Sequence, residues 1–178
     1  MFVGTNGVVL DEGGRILLMR RDDTLSWALP GGGLEAGELP PAGAAREVEE
    51  ETGQKVAPQR LVGLYQWAGA RKDYLIFVFR CLPTGGELQT TEEAIQVAYK
   101  RPDRLPWPML SLHRERIGPA LTHGGGSPVW TRQQPSRWLG VAQQTIGRLI
   151  HLRQDRRRRR ENLPPYQPPQ PWKIGALT

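Results

Sequence analysis

Cysteine is almost missing from this chain: Cys81 is the single one in 178 residues. One cysteine cannot close an internal disulfide, so a reducing, cytoplasmic setting is expected. Cys81 lies in the apolar run 74–82 and reads as a small strand residue without a catalytic role. Long hydrophobic runs are missing too. No stretch approaches the roughly 18 apolar residues of a membrane span. The first ten residues lack a basic segment and a cleavage pattern, so no secretory signal is expected. Internal repeats are also absent. What remains is an apolar fraction of 38%, enough for one core of ordinary size plus an appendage.

Charge is unevenly divided. The net charge is +6, yet residues 1–122 carry −2 and residues 123–178 carry +8. The basic character therefore belongs to the tail, and the body resembles an ordinary globular domain. Gly124-Gly125-Gly126-Ser127-Pro128 breaks the pattern near the same point. The division read from sequence is a domain over 1–122 and a basic, Pro-rich extension over 123–178. That extension is expected to fold on the domain or on a partner subunit.

Two β-like runs, 4–10 and 15–21, flank the turn signal Asp11-Glu12-Gly13-Gly14 and predict a hairpin. A short apolar segment, 24–29, ends at Pro30 and runs into Gly31-Gly32-Gly33, a loop no side chain obstructs. Pro40-Pro41 marks a helix start and Gly53 its C-cap. Residues 56–67, 74–82 and 94–100 predict strands, the second buried on both faces. A second helix is predicted over 107–121, beginning near Pro108. A third is predicted over 136–160, followed by extended chain over 164–171.

The helix after the glycine loop carries the chemistry. At about 100° per residue, Ala44, Val48 and Thr52 form an apolar face. Glu47, Glu50 and Glu51 share a separate arc about 100° wide. Arg46 stands one turn before Glu50, at ion-pair spacing. Three acids on one arc repel each other, and a divalent cation would relieve that. Oxygen ligands of this kind suit Mg²⁺ or Mn²⁺ better than zinc. The glycine loop can bring a backbone carbonyl to the same ion. A solvated acidic face is the plain alternative; loop, spacing and Arg46 together argue against it.

The segment Gly32 to Gln54 resembles the Nudix box, G-x5-E-x7-R-E-U-x-E-E-x-G-U, where U is a bulky apolar residue. Gly32, Glu38, Arg46, Glu47, Val48, Glu50, Glu51 and Gly53 match it. The last apolar position is Gln54 instead. The lead-in Trp27-Ala28-Leu29-Pro30-Gly31-Gly32 also resembles that of the family. The resemblance spans about residues 3–118 by the order of elements, and it implies an α/β fold: a central mixed β-sheet between helices. It implies a metal-dependent hydrolase that uses water to cut a pyrophosphate bond in a nucleoside diphosphate linked to another moiety. Glu47, Glu50 and Glu51 match the acids that hold divalent ions. Gly31 matches a carbonyl donor to that shell, and Arg46 the arginine that orients the carboxylates. Glu38 matches a buttress. A further acid from a later loop often joins the metal site, and of Glu92 and Glu93 the choice here is Glu93.

For the substrate, Trp27, Tyr65 and Trp67 are aromatics that either stack on a base or fill the core. Gly32 stands where the loop would meet substrate, and Arg71, with Lys72, either meets its phosphates or is a solvated pair. The family's ADP-ribose enzymes often carry a proline about fifteen residues past the box; here that window, 67–70, has none, which argues against ADP-ribose. Two other readings stand beside the first. The five arginines 156–160 would suit RNA-end processing, with nucleic acid held by phosphate contacts, although a charged helix end or solubilising tail is the plainer account. A non-catalytic nucleotide sensor would be expected to lose acids that this chain keeps. A homodimer is expected from the family.

Overall fold

The computed structural model describes residues 1–68, 73–122 and 126–133. Arg71, the arginine run 156–160 and the segments predicted as a third helix and a Pro-rich strap lie outside the described residues.

Seven strands form two sheets. The strands are β1 (Phe2–Val9), β2 (Ile16–Arg21), β3 (Trp27–Ala28), β4 (Gln54–Ala68), β5 (Asp73–Gly86), β6 (Ala94–Lys100) and β7 (Val129–Arg132). The four-stranded sheet runs β1-β5-β4-β7 and is mixed, with parallel β1–β5 and β4–β7 pairs around an antiparallel β4–β5 pair. The three-stranded sheet, β3-β2-β6, is antiparallel. Helix α1 spans Pro40–Thr52 and α2 spans Ser111–Leu121.

The helices lie on opposite sides of the larger sheet, as period-2 alternation requires. Val9, Phe79 and Cys81 pack with Ala44 and Val48 of α1. Val8, Ile76 and Val78 pack with Ile117 and Ala120 of α2. Adjacent residues Val8 and Val9 thus enter different cores, both at 0% exposure. Burial pushes the Cys81 thiol up to about 12, in keeping with an inert apolar residue.

The larger sheet is the mixed sheet between helices that the resemblance implies, and the smaller antiparallel sheet is an addition to it. Two expectations need correction. The β1–β2 hairpin does not form: the turn exists, pinned by Arg15 Nε donating to Asp11 Oδ2 at 2.7 Å. Beyond one bridge, Leu10 to Ile16, the strands part; β1 pairs with β5, and β2 with β3 and β6. Each strand is buried on both faces and takes its neighbours from elsewhere. The second helix starts at Ser111 and not near Pro108, because the chain before it runs beside β3. There Trp27 N–H donates to Pro108 O at 2.8 Å and Leu110 N–H to Trp27 O at 3.1 Å. The larger sheet takes in β7, which pairs with β4 from Gly63 to Gln66. The compact unit extends over Met1–Pro135.

Helix α1 keeps its predicted limits. Gly53 closes it at φ 73°, with its N–H donating to Glu49 O at 2.8 Å. Arg60 caps α2 by donating to Pro119 O and Thr122 O at 3.2 and 3.1 Å. Gln54, where an apolar residue was expected, is buried but satisfied. Its Nε2 donates to Gly85 O and its Oε1 accepts from the Tyr99 hydroxyl at 3.2 Å. No helix among the described residues is long and apolar enough to cross a membrane.

Candidate active site

The loop 30–34 is bound edge-on to β1. Gly7 N–H donates to Pro30 O at 3.0 Å, Thr5 N–H to Gly32 O at 2.9 Å and Leu34 N–H to Val3 O at 3.2 Å. At Gly31 the backbone leaves no room for a side chain, and at Gly32 a flexible carboxylate fills that room. A Cβ on Gly31, at φ +146°, would lie 2.1 Å from Thr5 O. A Cβ on Gly32 would lie 2.6 Å from Glu47 Oε2. The loop therefore approaches β1 on one side and the Glu47 carboxylate on the other.

Glu51 is 7% exposed, and its Oε2 accepts the Gly31 N–H at 2.6 Å. Oε1 has no protein partner among the described residues. Burial pushes this carboxyl up to about 8; the charges of Glu47 and Glu93 act the same way, against the Gly31 amide and Arg21. Glu47 is also raised, first by burial and then by Glu50 and Glu93, with Arg46 opposing. Glu93 is exposed, yet its charge acts on Glu47, Glu51 and Arg21 alike. Its backbone carbonyl accepts from Asp22 N–H at 3.0 Å, beside the end of β2.

Arg46 joins the acids to the loop. Nε and Nη2 donate to the two oxygens of Glu38 at 2.8 and 3.0 Å, and Nη2 also donates to Gly33 O at 3.0 Å. Nη1 donates to Glu47 Oε1 at 3.0 Å and to Glu50 Oε2 at 2.9 Å. The Glu38 carboxyl is held below its usual range by this fork, and its Oε2 also takes the Glu35 N–H. Glu50 itself faces solvent, with its side chain 59% exposed. The three box acids thus differ: Glu47 and Glu51 turn to the loop, and Glu50 sits at the rim under Arg46.

Lysine in place of Arg46 keeps the charge but not the fork. Arg46→Lys is expected to lower kcat by about 10- to 100-fold, measured by steady-state hydrolysis at saturating metal. Activity equal to that of the unmodified chain would show that the fork is dispensable.

Among the described residues, no three His, Cys, Asp or Glu side chains are drawn tightly enough to clasp an ion as they stand. The donor set nevertheless fits a hard cation. Both enclosed carboxylates are raised by burial, Glu47 raises Glu51 further, and Glu93 reinforces both.

The aromatics read from sequence are engaged within the protein. Trp27 is 8% exposed in the core, with the Lys100 ammonium 5.1 Å from its ring. Tyr65 is 2% exposed, and the Arg116 guanidinium lies 5.4 Å from its ring. Trp67 stacks on Tyr74 at 4.5 Å and has Arg116 at 5.2 Å. These positions favour packing roles for all three.

Sequence reasoning missed Asn6, His113, Arg116 and Gln133. His113 Nδ1 accepts the Leu29 N–H at 3.1 Å, just before the loop. Burial, with Arg116 and Arg21 nearby, pushes its pKa well down, so the ring is neutral. None of the four belongs to a local motif; the fold brings Asn6 and His113 to the loop and sets Arg116 and Gln133 behind Asn6.

Over residues 2–121 the chain matches the family described as NUDIX domain, and it belongs to that family. It is 41% identical over 123 residues to a MutT-like protein of Streptomyces ambofaciens, covering 69% of this chain and 79% of that relative. It is 33% identical over 110 residues to a putative 8-oxo-dGTP diphosphatase of Bacillus subtilis (strain 168), covering 62% and 73%. A crystal structure of a UDP-X diphosphatase superposes with a TM-score of 0.59 at 30% identity, covering 67% of this chain and 60% of that one. The chain is an enzyme, a Nudix hydrolase that cuts the pyrophosphate bond of a nucleoside diphosphate linked to another moiety. Divalent metal ions are typical of the family.

Proposed function

We propose that Glu47, Glu50 and Glu51 form the catalytic acids, with Mg²⁺ or Mn²⁺ held by them, by the Gly31 carbonyl and by Glu93. The observation that carries this reading is the position of the Glu47 and Glu51 carboxylates against the glycine loop. Bound there, the cation would neutralise phosphate charge and lower the pKa of a water. The residues of the chain do the rest. Arg46 holds Glu47 and Glu50 in register with the loop, and Gly32 leaves room for substrate and for the Glu47 carboxylate. The enclosed acids accept the proton that the attacking water gives up.

Oxidised guanine nucleotides stand first among candidate substrates, a choice supported by the likeness to the putative 8-oxo-dGTP diphosphatase. The test is a panel of 8-oxo-dGTP, 8-oxo-dGDP, ADP-ribose, UDP-sugars and 5′-triphosphate RNA, each with Mg²⁺ or Mn²⁺ and with a chelator. Metal-dependent cleavage to the monophosphate product, separated by chromatography and fastest for the 8-oxo compounds, is expected. Preference for RNA would move the reading to RNA-end processing, and metal-independent turnover would defeat the site assignment.

A further inference from the structure

Arg116 is 2% exposed, and burial pulls its pKa down to about 10. No carboxylate pairs with it among the described residues. A buried guanidinium without an ion-pair partner costs stability, so its remaining contacts call for an explanation. Nη1 donates to Asn6 Oδ1 at 2.7 Å; Nη2 and Nε donate to Gln133 Oε1 at 2.8 and 3.3 Å. Gln133 in turn donates through Nε2 to Glu115 Oε2 at 2.9 Å and Leu112 O at 3.1 Å.

A guanidinium only donates. Asn6 must therefore turn its oxygen to Arg116, which leaves its Nδ2 facing Pro30 O at 3.3 Å. The same carbonyl also accepts the Gly7 N–H. The Pro30 C=O and the Gly31 N–H belong to one planar peptide unit and point in opposite directions. When the carbonyl is fixed on the β1 side, the N–H is aimed at the other side, where it meets Glu51 Oε2. His113 holds the preceding residue of the same strand end through the Leu29 N–H.

We propose that Arg116 and Asn6 are positioning residues for Glu51: Arg116 sets the orientation of the Asn6 amide, Asn6 locks the Pro30–Gly31 peptide plane, and that plane aims the Gly31 N–H at the Glu51 carboxylate. The inference rests on Glu51 being a catalytic acid. It adds a device on the far side of the sheet, built from α2 and the residue after β7, that no motif marks.

The test uses the full chain. Asn6→Asp keeps an oxygen for Arg116, and the ion pair so formed maintains the fold. It replaces the Nδ2 donor with an oxygen that repels Pro30 O. In metal-free protein the Gly31 amide proton, followed by NMR, is expected to exchange about tenfold faster or more, as a loosened bond to Glu51 would. With metal, kcat is expected to fall by about 10- to 100-fold with KM little changed. Both changes together support the proposal. An unchanged Gly31 amide, or an unchanged kcat, overturns it. If Asn6→Asp does not fold, Arg116→Lys, which loses the fork but keeps the cation, is judged by the same two readouts. Glu51→Gln is measured beside them. Full activity in that variant defeats the role of Glu51 itself, whereas an inactive Glu51→Gln beside a fully active Asn6→Asp defeats the positioning role alone.

Discussion

Glu51→Gln is expected to reduce metal-dependent hydrolysis by about 10²- to 10⁴-fold, while the fold is retained. The amide keeps an oxygen for the Gly31 N–H at the 2.6 Å contact, so the loop is not released. What is lost is the negative charge that binds a cation and accepts a proton. A second effect runs the other way. The carboxyl is raised from 4.5 to about 8 in the folded protein, first by burial. Between those values the folded state holds a proton that the unfolded chain has released. Metal-free stability contributed at this site therefore falls as pH rises through that window, and is fully lost above about 8. Glu51→Gln should flatten this slope and leave the metal-free protein the more stable of the two near pH 8. Thermal melts in chelator across pH 4.5 to 8.5 would check it. Equal slopes in both proteins would mean that Glu51 is not the group that titrates.

The second large effect separates two adjacent glycines. Gly31→Ala drives a Cβ to 2.1 Å from the Thr5 carbonyl, which is backbone and cannot yield, at a φ of +146°. A loss of about 2–4 kcal/mol is expected, a fall of on the order of 10 °C in melting temperature. Gly32→Ala meets instead the Glu47 carboxylate at 2.6 Å, the far end of a flexible side chain. That group moves aside, so stability should stay within about 1 kcal/mol. Activity should fall by about 10- to 100-fold, because an acid of the site has been displaced. Calorimetry and kinetics on both variants distinguish the two. The same loss of stability in both, or full activity in Gly32→Ala, would contradict the geometry.

What the sequence made legible follows from local periodicity. Helix α1 has one turn geometry, so the arc of Glu47, Glu50 and Glu51, the Arg46–Glu50 pair and the Gly53 cap are legible in the order of residues alone. The distinction among the acids is not. It depends on which of them the loop covers, and loop and helix are joined only by the fold. The predicted β1–β2 hairpin failed for a similar reason. A turn signal reports that the chain reverses, not that the strands on each side stay paired once both are buried on two faces. Arg116 meets Asn6 across 110 positions, and nothing in either neighbourhood announces it. Gln54 shows the limit of a motif: the apolar position is filled by an amide whose partners, Gly85 and Tyr99, come from β5 and β6.

The strand β7 has a consequence for the smallest working unit. A protein cut within the glycine-rich stretch before Val129 would keep every residue of the box. It would also strip the outer edge of β4, leaving the main-chain groups of Gly63–Gln66 open to pairing with foreign strands. The same cut would remove Gln133 and leave the Arg116 cation enclosed with Asn6 as its one hydrogen-bond partner among the described residues. A fragment defined by its signature alone would therefore be prone to self-association and poor in turnover, although its acids were intact.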